Sequence, residues 1–500
     1  MSSTQTLIEE ISVLTSGNDI YENNIAQWRY LLESYLGGDD YRRAGYLTRY
    51  QLETDPEYNA RLRSTPLENH CQSVISVYNS FLFRQDPDRK FGSIENLPEL
   101  EDFLDDADMD GRSLNAFMKD VATWASVFGH AWVIMAKPNI NASNRAEEQI
   151  MGVRPYVNLL TPMVVLDWAW TRQPSGRYVL SYFRYLEDVN GDVKTVKEWT
   201  QETIRTIIID DAKNVISEDI LEDNGLGKIP AIVCYNGRST VRGIGVSDIS
   251  DIADCQRFIY NATSEVEQSI RMDSHPSLVK TPETQAGIGA GSLIHMPENL
   301  DPGLKPYLLE FGGASIDKIY LAIKHSIDSI DKMANTGAVR STQVSTLSGV
   351  AMETEFQLLN ARLSEKADNI ELAEEQMWKF WCDYMGYIWD GYVEYPSSFN
   401  IRDTGQEIQQ LSTAAATNPA DPRVKAAIDM KILDWLDLDE DEVTALANPQ
   451  LIDLENVPEE TVNYKSKEFI DPVSGEIMMS VSPEQQLALV KAGWVEKDKD

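Results

Sequence analysis

The chain has 500 residues, 42% of them hydrophobic and 9% aromatic, which suffices for about two to four ordinary globular cores. Its 80 acidic residues against 44 basic ones leave a net charge of −36, which repels a phosphate backbone in bulk and excludes tight nucleic-acid binding through counterion release. Four scattered cysteines without a CxxC pair argue against structural zinc or a disulfide framework, and no apolar run is long enough to span a membrane. The start, Met1-Ser2-Ser3-Thr4-Gln5, lacks a basic region followed by an apolar one, so no signal peptide is expected and synthesis is expected to be cytosolic.

Residues 1 to about 85 read as helices. Ile20 to Leu36 is amphipathic, and Pro66-Leu67-Glu68 is expected to open a helix running through Val74, Ile75, Val77, Tyr78, Phe81 and Leu82. After an acidic interruption at Asp105 to Gly111, Ser113 starts a helix to about Phe128. Gly129 ends it, and His130 to Ala136 reads as a buried strand. From Val153 to Cys234 the pattern turns to β. Val179 to Leu186 and Val193 to Thr200 flank the hairpin signal Asn190-Gly191, and Thr203 to Ile209 and Ile229 to Tyr235 add two strands.

The helical period returns at Val246, through Ile249, Ile252, Ile259, Ala262, Val266 and Ile270, and stops at Ser274-His275-Pro276. Prolines and glycines then mark a compact non-helical insert up to Gly313, with its two flanking helices expected to lie antiparallel. From Ala314 to about Asp390 there is no proline. Ile316, Ile319, Tyr320, Ile323, Ile327, Ile330 and Met333 recur at helical steps, and so do Met352, Phe356, Leu359, Leu363, Ala367, Ile370, Met377 and Trp381. The run from Asn335 to Gly349, rich in Gly, Ser and Thr, separates the two sets. Beyond Pro396, short acidic helices are expected at Asp439 to Ala447 and Ser482 to Ala492, with a hairpin around Asp471 to Gly475.

Chemical motifs are weak. Asp106-x-Asp108-x-Asp110-Gly111 opens like a calcium loop, but its twelfth position is Phe117 rather than a bidentate Glu, so a helix cap is favoured. Gly287-x-Gly289-x-Gly291 lacks the strand-to-helix context of a phosphate loop, and Gly225-Leu226-Gly227-Lys228 suits a strand start. The histidines at 70, 130, 275, 295 and 325 show no ligand spacing. The cluster Trp378, Trp381, Tyr384, Tyr387, Trp389 and Tyr392 reads as packing rather than a stacking platform. Nothing points to catalysis, a metal or a cofactor, and the paired carboxylates of a hydrolase are indistinguishable here from an acidic background.

The order of these features resembles the portal proteins of tailed double-stranded DNA phages. It consists of a helix, a proline-rich insert, a second helix, a Gly/Ser/Thr loop, and a long helix opening Ser348-Gly349-Val350-Ala351-Met352. Asp110-Gly111-Arg112-Ser113 leading to Val127 to Val133, and Asn224 to Val233, are similar too, so the resemblance covers roughly residues 60 to 400. It implies an α+β, portal-like fold: mainly helical, with a β-containing wing, two-helix stem, clip insert, long wing helix and helical crown. It places the first wing part at 1–240, the stem helices at 241–273 (Val246 to Met272) and 314–334, and the clip at 274–313. The tunnel loop falls at 335–349, the long wing helix at 350–400 (Val350 to Asp390), and the crown at 401–500.

The same resemblance implies a non-enzymatic ring of usually twelve copies at a capsid vertex of the virion, assembled in the host cytoplasm. DNA is packaged and ejected through it, and its implied partners are the terminase, a head–tail adaptor and the major capsid protein, with no membrane. The loop residues implied to face DNA are Arg340, Ser341, Thr342, Gln343, Ser345 and Thr346. Lys318, Lys324 and Lys332 are candidate channel cations, and Lys280, Glu283, Gln285, His295 and Glu298 candidate clip contacts. Another phage connector or adaptor scaffold is the alternative.

Overall fold

The computed structural model describes residues 10–138, 145–274, 277–279, 285–286, 294–295, 299, 301, 307–309, 314–340, 349–399, 467–470, 477–480 and 495–496. The chain divides into two compact units, Met1–Asn400 and Ile401–Asp500. Helices and antiparallel sheets alternate along the first, and the fold is α+β.

Trp132 is one of several tryptophans buried in the core of the first unit. Ser113 Oγ accepts from the Ala116 amide and starts the helix Leu114–Phe128, and Gly129 in the left-handed conformation (φ 91°) ends it. The chain turns straight into strand His130–Ala136, whose residues are buried on both faces up to Met135. This strand is the middle of a three-stranded sheet, between Tyr156–Leu160 and Ala231–Tyr235. Trp132, at its centre, lies 5.9 Å from Trp168 and 5.0 Å from Phe183 between ring centroids. Both partners belong to a five-stranded meander, numbered here β1 (Val165–Arg172), β2 (Tyr178–Asn190), β3 (Val193–Thr200), β4 (Thr203–Asp210) and β5 (Val215–Asp223).

Several sequence expectations shift. The hairpin signal Asn190-Gly191 locates the right turn, but Asn190 pairs with Val193, so Gly191 and Asp192 form the tip and Gly191 supplies the positive φ. Strand β5, not anticipated individually, is an exposed edge without the buried alternation that marks a core strand. Pro66 does not open the next helix. That helix is His70–Leu82, and Asn69 caps it by accepting from the Gln72 amide.

The long helix runs Gly349–Met385, 37 residues and about 55 Å at 1.5 Å per residue. It buries Leu359, Leu363, Ala367, Ile370, Met377, Trp378 and Trp381. It stops short of the expected Asp390 because Gly386 turns left-handed (φ 74°) and the Tyr387 amide donates back to Cys382 O. The expected loop from Asn335 contains a helical turn, Gly337–Arg340, and Gly349 belongs to the long helix.

In the second unit the described residues are three strands. Lys467–Ile470 pairs antiparallel with Ile477–Ser480, as the hairpin expectation required, and with Val495–Glu496. The helices expected at 439–447 and 482–492 lie outside the described residues.

Candidate functional site

The residues that position the two helices around the insert form a joint at Gly129 and Gly245. A Cβ on Gly245 would lie 1.8 Å from Gly129 O, and one on Gly129 would lie 2.5 Å from Gly245 O, so only two glycines permit the approach. Around them the Asn236 amide donates to Gly129 O (2.9 Å), the Asp248 amide to Ser126 O (3.0 Å) and Ser247 Oγ to Val127 O (2.6 Å). Residues 246–249 are therefore held out of the helix, and the outgoing helix is Ser250–Ser274 rather than starting at Val246.

A buried ionic cluster locks this joint to the long helix. Lys366 Nζ donates to Asp248 Oδ2, Asn236 Oδ1 and, at 2.9 Å, Ser126 Oγ; Arg362 reaches Asp248 Oδ1 at 2.7 Å. The Lys366 and Asp248 side chains are 3% and 1% exposed. Burial works against the Asp248 carboxylate, but the Lys366 and Arg362 charges outweigh it and hold its pKa below the ordinary value. A second buried acid, Glu374, accepts from Arg89 at 2.6 and 3.1 Å and from Tyr395 Oη at 2.6 Å.

The outgoing helix is clasped at its middle by the N-terminal segment. The Thr48 amide donates to Asn261 Oδ1 (2.7 Å), Tyr50 Oη to Glu265 (2.7 Å) and Arg61 Nη1 to Ser264 Oγ (3.0 Å). Arg61 is itself bound by Glu53 and lies 4.1 Å over the Tyr50 ring. The return helix, Ala314–Ala334, has the bounds its periodicity predicts. Antiparallel pairing of Ser277–Val279 with Tyr307–Leu309 shows that chain and helices double back. Ile252, Ile259 and Val266 are buried on the outgoing helix, and Ile323 and Ile330 on the return helix. Yet Phe258, Ile270, Tyr320, Leu321 and Met333 stay 45–69% exposed.

Lys318, Lys324 and Lys332 are all exposed and have no ion pair among the described residues. Lys318, His325 and Lys332 recur every seventh residue and so share one face, which Leu321 and Asp328 interrupt. Arg340 is not a free cation. Its guanidinium pairs with Asp331 at 2.7 Å, and its Nη2 lies 2.9 Å from His70 Nδ1, with the Arg340 and Asp331 side chains both 12% exposed. Burial, and then the Arg340 charge, push the His70 pKa down. Ser341, Thr342, Gln343, Ser345 and Thr346 lie outside the described residues, as do Lys280, Glu283 and Glu298. Gln285 and His295 are register partners in a two-stranded antiparallel pairing.

The remaining motifs resolve into structure. Asp108 accepts from the Asp110 and Arg112 amides and pairs with the Arg112 side chain, while Asp106 accepts from the Gly111 amide; the loop braces itself and leads to the Ser113 cap. Gly225 to Lys228 is a turn tied by the Asn224 side chain. The triple-glycine run at 287–291 lies outside the described residues. Trp378 and Trp381 are fully buried, and Trp389 stacks on Trp378 at 5.7 Å. Among the described residues no group of three His, Cys, Asp or Glu could hold a metal ion, and no helix is long and apolar enough to cross a membrane. Sequence reasoning missed Asp248, Lys366, Arg61 and Glu374, whose partners lie far away along the chain.

Among solved structures the chain is similar to one from the neck of an empty GTA particle computed with C6 symmetry, at TM-score 0.44 and 11% identity over 79% of this chain and 99% of that one. It is also similar to a chain of the virion of a native gene transfer agent particle, at TM-score 0.42 and 12% identity over 78% and 97%. A third is from the neck of the native particle computed with C12 symmetry, at TM-score 0.40 and 11% identity over 79% and 98%. No curated protein matches the sequence. Residues 5–414 match the family described as phage portal protein, SPP1 Gp6-like, and over that span, most of its length, the chain belongs to this family.

Proposed function

We propose that copies of this chain close into a ring, of twelve subunits by family resemblance, at one vertex of a phage-like capsid, and that double-stranded DNA enters and leaves through its centre. The role is structural, with no chemical step. The helices Ser250–Ser274 and Ala314–Ala334 act as the stem, residues 274–313 as a clip that docks the terminase and later a head–tail adaptor, and 335–349 as the tunnel loop. Residues 1–240 and 350–400 form the wing that meets the major capsid protein, and 401–500 the crown. The particle is assembled in the host cytoplasm.

The observation that carries this reading, beside the family, is the exposed apolar set Phe258, Ile270, Tyr320, Leu321 and Met333 on helices that already bury their mutual face. Burial removes such surface from water at about 25 cal/mol per Å², and a neighbouring copy is the partner that a ring supplies. The charge of −36 per copy suits a channel that must not hold DNA, because each phosphate contact would be a salt-dependent brake. Against that background Lys318, Lys324 and Lys332 offer sparse, weak contacts.

Electron micrographs of the purified protein test the reading. Closed rings are expected from the parent, and Leu321→Glu should retain the fold but lose them. A parent that stays monomeric at micromolar concentration would overturn it.

A further inference from the structure

Three arginines gather at one place among the described residues of this acidic chain. Where the β1–β2 hairpin meets strand Ala231–Tyr235 and the end of the long helix, two adjoining clefts of about 570 and 350 Å³ share Trp170 and Tyr178 as walls. Arg177 lines the first, and Arg238 and Arg242 the second. Arg242 lies 4.0 Å over the Tyr178 ring and 5.6 Å over Trp170, and Arg238 lies 5.6 Å over Tyr235. All three arginines are exposed, and none has an ion pair among the described residues, although 80 carboxylates were available to supply one. The one carboxylate among the residues lining either cleft, Asp383, is held by Lys228 at 2.7 Å. A guanidinium stacked on a ring keeps its edge N–H groups free, and that edge fits a carboxylate in a two-pronged pair.

The complementary surface lies at the other end of the same sheet. Strand β5 is an edge, paired on one side with β4. Its side chains alternate, so Glu218, Ile220 and Glu222 share one face, opposite Ile208, Thr206 and Ile204. Glu218 and Glu222 are exposed without ion pairs among the described residues, and Ile220 is 46% exposed. Asp219, on the other face, is already bound by Arg205 at 2.7 Å. Five strands spaced ~4.8 Å apart separate the two surfaces by ~19 Å. One copy therefore carries both halves of a contact at opposite edges, the arrangement that links copies head to tail and gives a ring when the rotation closes.

We propose that in the assembled ring β5 of each copy lies in the arginine cleft of the next. Glu218 and Glu222 meet Arg177 and Arg242, while Ile220 packs on Trp170 and Tyr178. The contact rests on the ring reading above and names a wing surface that stabilises it.

The test measures the protein concentration for half-assembly by analytical ultracentrifugation across a salt series. Three charge-swapped forms are compared: Arg177→Glu with Arg242→Glu, Glu218→Arg with Glu222→Arg, and all four together. Each two-site form should raise the half-assembly concentration at least about tenfold at low salt, and the four-site form should return it to within about threefold of the parent. In a second measurement, Tyr178→Cys and Ile220→Cys are combined, and oxidation should give a ladder of covalently linked copies. Rings that ignore the swaps, swaps that do not rescue each other, or rings that form without a ladder overturn the contact and leave the ring reading intact. A parent that forms no rings overturns the ring reading instead, before any variant is compared.

Discussion

Asp248→Asn is the sharpest single test of the joint between the outgoing helix and the long helix. Asparagine keeps the volume and removes only the charge that sits between Lys366 and Arg362. Lys366, 3% exposed, would be left with Asn236 Oδ1 and Ser126 Oγ and no counter-charge. Breaking a buried ion pair from one side costs ~3–5 kcal/mol, and the near-complete burial of both partners argues for the upper half of that range. Lys366→Met should cost less, ~1–3 kcal/mol, because Asp248 keeps Arg362 at 2.7 Å and the Asn236 amide at 3.0 Å. Urea midpoints read by tryptophan fluorescence at one protein concentration, with the slope unchanged, give both values. The double variant should cost less than the two singles added, with a coupling of at least ~1 kcal/mol. Asp248 has a lowered folded pKa, so its contribution is complete above the ordinary value of 3.8 and disappears as pH falls through the lower folded value. The gap between parent and Asp248→Asn should therefore persist at pH 5 and close only in stronger acid. An Asn variant within ~0.5 kcal/mol of the parent, or strict additivity in the cycle, would refute the reasoning.

Burial alone pushes the His130 pKa from 6.5 down to about 3, so the unfolded chain binds the extra proton between those values and stability should fall as pH drops across that window. The slope is up to ~1.4 kcal/mol per pH unit from this group, and His130→Gln should flatten it; an unchanged profile would refute the assignment. Arg340→Glu would set a third carboxylate beside Asp331 and Glu68, so Asn335 to Arg340 should exchange amide hydrogens faster while rings persist and packaged DNA decreases. Unchanged exchange together with unchanged DNA content would remove this turn from the account. Glu374→Ala leaves Arg89, whose side chain is 10% exposed, without its carboxylate and should cost ~3–5 kcal/mol. Tyr395→Phe, which removes one hydrogen bond to the same acid, should cost only ~1–2 kcal/mol, and equal losses would contradict the network.

What the sequence disclosed follows the range of the interactions involved. Leu114–Phe128, His130–Ala136 and Ala314–Ala334 were legible because periodicity, a serine cap and a terminating glycine all act within a few residues. The start of the outgoing helix was not, because Val246 to Ile249 look helical by pattern and are held out of the helix by bonds to Ser126, Val127 and Gly237. Arg340 stood out as the sole cation of its loop, and only the fold reveals that Asp331 and His70 claim it. Lys366 and Asp248 are 118 positions apart, a separation at which no local signal exists. Glu218 and Glu222 merge into a chain full of acids, and that Asp219 rather than either of them takes Arg205 is a property of the sheet.

The clasp on the outgoing helix has a consequence for biosynthesis. Thr48, Tyr50 and Arg61 find their partners 213, 215 and 203 residues further along. At about 5–20 residues per second, the ribosome needs ~10–40 s to deliver those partners, and the N-terminal segment waits that long with Leu47, Tyr41 and Leu62 uncovered. A segment made at least 203 residues ahead of its partners is thus among the last to settle, and nascent chains halted before about position 270 are ready substrates for chaperones and proteases.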